Sequence, residues 1–91
     1  MRYFKFAVGT NICGTDDIIY EKFEDNVSQK ELEEIGQELA IENAEGYEYL
    51  VLGWSHIPET EEEQEEIDNY YAEVSYEYEE ISREEYKENT Q

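Results

Sequence analysis

The sequence predicts an α+β fold, in which a small antiparallel sheet of three or four strands has one main amphipathic helix packed on a face, with short acidic helices toward the C-terminus. Three patterns support this. Aromatic and β-branched side chains alternate with other residues near the N-terminus, a capped helical segment follows, and Glu-rich segments lie near the end. The chain has 91 residues, including nine Tyr, three Phe and one Trp. This length fits a single domain, residues 1–91, and disordered acidic chains are poorer in aromatic residues.

The N-terminal region predicts two strands joined by a loop. Residues 3–8 place aromatic and β-branched side chains at alternate positions, as a half-buried strand does. Residues 9–17 are rich in Gly, Asn and Asp, which are typical of loops. Residues 18–23 again favour a strand, so the two strands should pair antiparallel.

The main helix is predicted from its first residues onward. Ser28 followed three positions later by Glu31 is a capping box, and apolar residues between Leu32 and Ala40 recur at helical spacing. We expect this helix over residues 29–43. Its other face is mostly acidic.

A third strand is predicted over residues 47–54. Apolar side chains fall on both faces of this run, which favours a central position in the sheet, and His56 and Pro58 end it. An exposed edge with Tyr47 and Tyr49 would also support a homodimer.

The C-terminal third predicts two helices with an ambiguous segment between them. Residues 59–68 are Glu-rich, and Thr60 with Glu63 forms a second capping box. Ser82 with Glu85 forms a third, at the start of a short terminal helix. The segment 71–79 fits two patterns: an alternating strand or a helical stripe of spacing 4-3-4-3. We favour the strand because Val and Tyr dominate the alternation.

The charge restricts the classes of partner. There are 26 acidic and 6 basic residues, for a net charge of −20, which argues against bare nucleic acid and anionic membranes and favours a positively charged DNA-binding protein. The sequence shows no signal-peptide pattern, no apolar run of about 20 residues and one cysteine. We therefore expect a cytoplasmic protein, in the host cytoplasm if a phage encodes it.

Catalysis and cofactor binding are not expected. The single Cys13 and the single His56 lack a surrounding nucleophile motif, and no phosphate-binding loop is present. Four acidic residues near the first loop do not follow the EF-hand pattern; they are Asp16, Asp17, Glu24 and Asp25. We predict a protein that is not an enzyme and has neither metal nor cofactor.

The Glu-rich segment predicts a binding surface. Residues 59–66 hold six carboxylates in eight positions. On a helix this gives one negative charge per ~2 Å, and duplex DNA carries one per roughly 1.7 Å. Glu79 and Glu80 would add to this surface if they project nearby, and interleaved Tyr residues would act as anchors. The predicted partner-binding residues are Glu61, Glu62, Glu65, Glu66, Asp68, Tyr70, Glu73 and Glu77.

The opening resembles a recurrent type of small phage-encoded domain: an aromatic strand, a Gly-Thr-Asn…Gly-Thr-Asp loop, a second strand and a Ser-capped acidic helix, over residues 1–43. In size and charge the chain resembles phage DNA-mimic inhibitors of the anti-CRISPR and anti-restriction type. That resemblance implies an inhibitor of a Cas effector or restriction enzyme that occupies its DNA-binding groove, where Cas9-type effectors read the PAM with arginines. The alternative is a phage or bacterial accessory module that binds a basic protein without competing with DNA.

Overall fold

The computed structural model describes residues 1–53 and 57–90 of the chain. Its elements in chain order are β1 (Arg2–Gly9), β2 (Asp17–Phe23), α1 (Gln29–Gly46), α2 (Tyr49–Leu52), α3 (Glu61–Ala72), β3 (Ser75–Ile81) and α4 (Arg83–Thr90). The strands form one antiparallel sheet in the order β2-β1-β3. The predicted α+β class is confirmed.

The strand register divides the sheet into two faces. Phe6 lies between Ile19 on β2 and Tyr78 on β3, and directly paired residues project to the same side. We call this side the core face. Its opposite, the open face, carries the alternate β1 residues, including Lys5 and Ala7. The structure also decides the ambiguous segment in favour of a strand, which starts at Ser75 because α3 continues through Ala72.

Helix α1 covers the core face. Its N-terminus is capped as predicted, since the Glu31 backbone N–H donates to Ser28 Oγ at 3.1 Å. Leu32 and Ala40 are buried, and Leu32 joins Phe4 and Phe6 in the core cluster. The helix ends at Gly46, three residues later than predicted.

The predicted third strand over residues 47–54 is wrong. Residues 49–52 form the short helix α2, which follows α1 closely, while Trp54 and His56 lie outside the described residues. Backbone bonds such as Leu50 N–H to the Tyr47 carbonyl, at 3.0 Å, hold this turn. An apolar run without clear alternation does not distinguish a strand from a buried helix. Because no strand edge forms here, the edge argument for a homodimer is lost.

The two C-terminal helices begin where their capping residues predict. The Glu63 N–H donates to Thr60 Oγ1 and the Glu85 N–H donates to Ser82 Oγ, each at 3.1 Å. Helix α4 packs on the open face, where the Tyr86 ring lies 4.9 Å from the ring of Tyr3. Within residues 1–53 and 57–90, no helix combines the length and apolar character needed to cross a membrane.

Candidate functional site: an acidic face on helix α3

Helix α3 is attached to the rest of the protein along one side. Ile67 and Tyr70 are buried on that side, and the Tyr70 hydroxyl donates to the Ala44 carbonyl at the end of α1, at 2.5 Å. The neighbouring Tyr71 hydroxyl donates to a Glu48 carboxylate oxygen at 2.9 Å. These contacts fix the rotation of α3 about its axis, and so they determine which side chains face solvent.

The opposite side of α3 carries five exposed carboxylates. At 3.6 residues per turn they fall within an arc of about 160° and extend over about 10 Å of helix axis. All five were predicted as partner-binding residues, and we call them the α3 acidic face: Glu61, Glu62, Glu65, Glu66 and Asp68. The structure therefore brings these five together on one surface.

The α3 acidic face lacks neighbouring cations of its own chain. Residues 31–82 contain 18 carboxylates and no Lys or Arg. In the described part of the chain the ion pairs are the Met1 amine with Asp25, Arg2 with Glu80, and Lys5 with Glu79. None of them involves α3. Its negative charge is therefore available to an external partner.

Glu79 and Glu80 are engaged within the fold. Lys5 Nζ lies 3.1 Å from Glu79, and Arg2 approaches Glu80 at 3.0 Å. The hydrogen bond and charge of Arg2 hold the pKa of Glu80 below its ordinary value. Internal pairing reduces what these two carboxylates can add to a charged surface.

Glu73 and Glu77 lie off the α3 acidic face. Glu73 is the exposed C-cap residue of α3, and Glu77 is exposed on the open face of the sheet, opposite Ala7. The two are four positions apart in the chain, a span of at most about 14 Å. The structure therefore does not group these two residues with the five carboxylates of the α3 acidic face.

Tyr70 does not face a partner. Only 2% of its surface is exposed, and desolvation raises the pKa of its hydroxyl. The expected role of Tyr70 as an interface anchor is therefore contradicted by its burial. Tyr76 and Tyr78 project onto the core face, where Tyr78 packs against Phe6 with the ring centroids 5.7 Å apart. Tyr70 therefore helps to position α3, and Tyr76 and Tyr78 help to position α1, because their apolar rings take part in the packing between these elements.

Other reactive residues form no site in the described structure. Cys13 is an exposed thiol in the loop between β1 and β2, and His56, the other residue weighed for catalysis, lies outside the described residues. Across residues 1–53 and 57–90, no group of three or more His, Cys, Asp or Glu side chains is arranged to hold a metal ion.

Sequence reasoning missed one feature, an exposed apolar residue on the sheet. Ile18 is 48% exposed and lies beside Ala7 on the open face. Its strand was predicted, but which face it would occupy depends on the pairing register and on where α4 packs.

Comparisons with protein-family models, curated proteins and solved structures found no match to this chain. The functional argument therefore depends on geometry and charge.

Proposed function

We propose that this protein is an inhibitor that mimics nucleic-acid charge and blocks the DNA-binding groove of a host defence nuclease, with a CRISPR-Cas effector as the first candidate. The observation that supports this is the α3 acidic face: five exposed carboxylates on one side of a helix that carries no Lys or Arg. The partner must supply the positive charge that this surface lacks.

The spacing of these carboxylates suits a protein that normally binds DNA. Five charges over about 10 Å correspond to one per ~2 Å of helix axis, close to the roughly 1.7 Å of duplex DNA. A groove lined with Lys and Arg can therefore pair with either surface. Carboxylates also accept two parallel hydrogen bonds from an arginine, so PAM-reading arginines would be suitable contacts.

The inhibitor needs no chemistry of its own for this role. It competes by occupying the groove, and its long-range negative potential accelerates the encounter with a basic surface. Its own fold holds the acidic residues in place before binding, because Ile67 and Tyr70 fix the rotation of α3. Less conformational entropy is then lost on association than with a disordered acidic tail.

Two matched variants test the proposal. The α3 variant is E62Q/E65Q/E66Q, and the control is E34Q/E38Q/E42Q on the exposed outer face of α1; both remove three negative charges. We expect the α3 variant to bind a guide-loaded Cas9-type effector about tenfold or more weakly, because desolvated charge pairs contribute strongly to affinity. The control should change the dissociation constant by less than about twofold, since distant surface charges are screened.

The readouts are the dissociation constant and the inhibition of DNA cleavage, with circular dichroism to show that both variants fold. Equal losses in the two variants would mean that net charge, rather than the α3 acidic face, determines binding. That result would contradict the proposal.

A further inference from the structure

The open face of the sheet is only partly covered. Helix α4 packs at one end of it, through the Tyr86 ring against Tyr3. At the other end Ile18, Ala7 and Glu77 form a row across the three strands, because Ala7 pairs with both of the others. We call these three residues the open row. Ile18 is 48% exposed and Glu77 is also exposed.

The open row combines an apolar floor with one negative end. Ala7 is small, so a hollow lies between the larger side chains of Ile18 and Glu77, and the paired side chains of Lys5 and Glu79 also line it. Neighbouring strands place their side chains about 5 Å apart, so the row spans about 10 Å. Glu77 has no ion-pair partner among the described residues, whereas Lys5 in the adjacent row is paired with Glu79 at 3.1 Å.

This arrangement matches the structure of a Lys or Arg side chain, which has an apolar stem and a charged head. We propose that the open row is a second contact surface, which receives one Lys or Arg side chain of a basic protein partner. The stem lies over Ala7 and Ile18, and the head meets the Glu77 carboxylate. The identification of that partner with the nuclease rests on the proposed function above.

A second copy of this chain is a poor occupant of the open row. Each copy carries a net charge of −20, and two open faces brought together would place Glu77 residues and their neighbours near one another. On the open face, Lys5 is already paired with Glu79, and the exposed Lys22 lies four positions along β2 from Ile18. Charge complementarity therefore favours a basic partner.

The first test needs no nuclease. The ¹⁵N-labelled protein is titrated with n-butylguanidinium, which has both a stem and a charged head, and separately with guanidinium, which has only the head. We expect n-butylguanidinium to give saturable amide shifts centred on Ala7, Ile18 and Glu77. Guanidinium should give weak shifts distributed over all acidic surfaces. The variants I18T and E77Q, both at exposed positions, should each abolish the localised shifts.

Two results would overturn the proposal. One is that the two probes give the same distribution of shifts; the other is that the open-row amides shift with protein concentration alone, which would assign this surface to self-association.

With a bound nuclease, I18T should weaken affinity about fivefold, as a moderate interface contact does, and L50T at the exposed Leu50 of α2 is the control. If no nuclease binds but the probe shifts remain localised, the proposed function fails and the open-row site stands.

Discussion

At the scale of single residues, Gly36 allows α1 to pack closely on the sheet. A Cβ atom at this position would overlap the ring of Tyr76, whereas a Cβ atom at Gly46 would meet nothing within 4 Å. Both glycines lie in α1. The two positions therefore separate the effect of packing from that of helix propensity.

We expect Gly36→Ala to destabilise the fold by about 1–3 kcal/mol, the usual cost of overpacking, although Ala favours a helix. Gly46→Ala should leave stability unchanged or raise it by up to about 1 kcal/mol, the propensity difference between the two residues. Urea denaturation monitored by circular dichroism measures both. An equal gain in stability for the two variants would show that α1 does not pack against Tyr76.

The Arg2–Glu80 pair gives a pH dependence of known sign. Arg2 lowers the pKa of Glu80 from its ordinary value of 4.5, so the folded state favours the ionised carboxylate. A lowered pKa gives stabilisation that is fully present above pH 4.5 and is lost as the pH falls through the lower, folded-state pKa. Both side chains are substantially exposed, so the effect is small.

The Glu80→Gln variant tests this sign. We expect its melting temperature to lie below that of the parent protein at pH 7, and the difference to shrink as the pH falls below 4.5 and through the lowered pKa of Glu80. Glu88→Gln, at an exposed position of α4, is the control and should show no such convergence. A difference that grows on acidification would contradict the assignment of the ion pair.

At the scale of elements, the structure implies unequal stability among the helices. Helix α1 buries four residues, whereas α4 buries none and contacts the sheet through the Tyr86 ring against Tyr3. Few buried apolar contacts correspond to a low free energy of local opening. Helix α4 should therefore open independently of the core.

Amide hydrogen exchange measures this difference. We expect α4 amides to exchange well before the central amides of α1, and Tyr86→Ala to remove the remaining protection of α4 without affecting α1. Equal protection of the two helices in the parent protein would mean that α4 belongs to the same cooperative unit as the core.

The elements that could be predicted from the sequence are those with local signals. Ser28, Thr60 and Ser82 identify their helices because a capping residue acts within one turn. Residues 47–54 could not be assigned correctly, since an apolar run carries no local signal that separates a strand from a helix. Local backbone bonds such as Leu50 N–H to the Tyr47 carbonyl hold the helical turn, and Tyr71 on α3 donates to Glu48 just before it.

The same distinction applies to the candidate site. The five carboxylates of the α3 acidic face could be grouped in advance because helical periodicity alone places them on one side. The burial of Tyr70 could not be predicted, because it depends on how α3 packs against α1. The internal pairing of Glu79 and Glu80 could not be predicted either, because it depends on how β3 pairs with β1. The open row likewise depends on register across three strands.

At the scale of the whole molecule, the net charge of −20 is the property that the proposed function must explain. Self-repulsion at this charge opposes compact folding, and solubility in a small domain needs a magnitude of only about 2–8. The proposed binding role would account for this excess charge. It would also make the interaction sensitive to salt, because counterions are released on binding.

The most direct test of this account is competition between the protein and PAM-containing DNA for a guide-loaded Cas9-type effector, at two salt concentrations. We expect tight binding that DNA prevents and that weakens as salt increases. Binding of the protein and DNA to the effector at the same time would contradict mimicry and support the accessory-module alternative. Absence of binding to this effector would exclude it as the target, and the same competition with a restriction enzyme would then decide whether the acidic face competes with DNA.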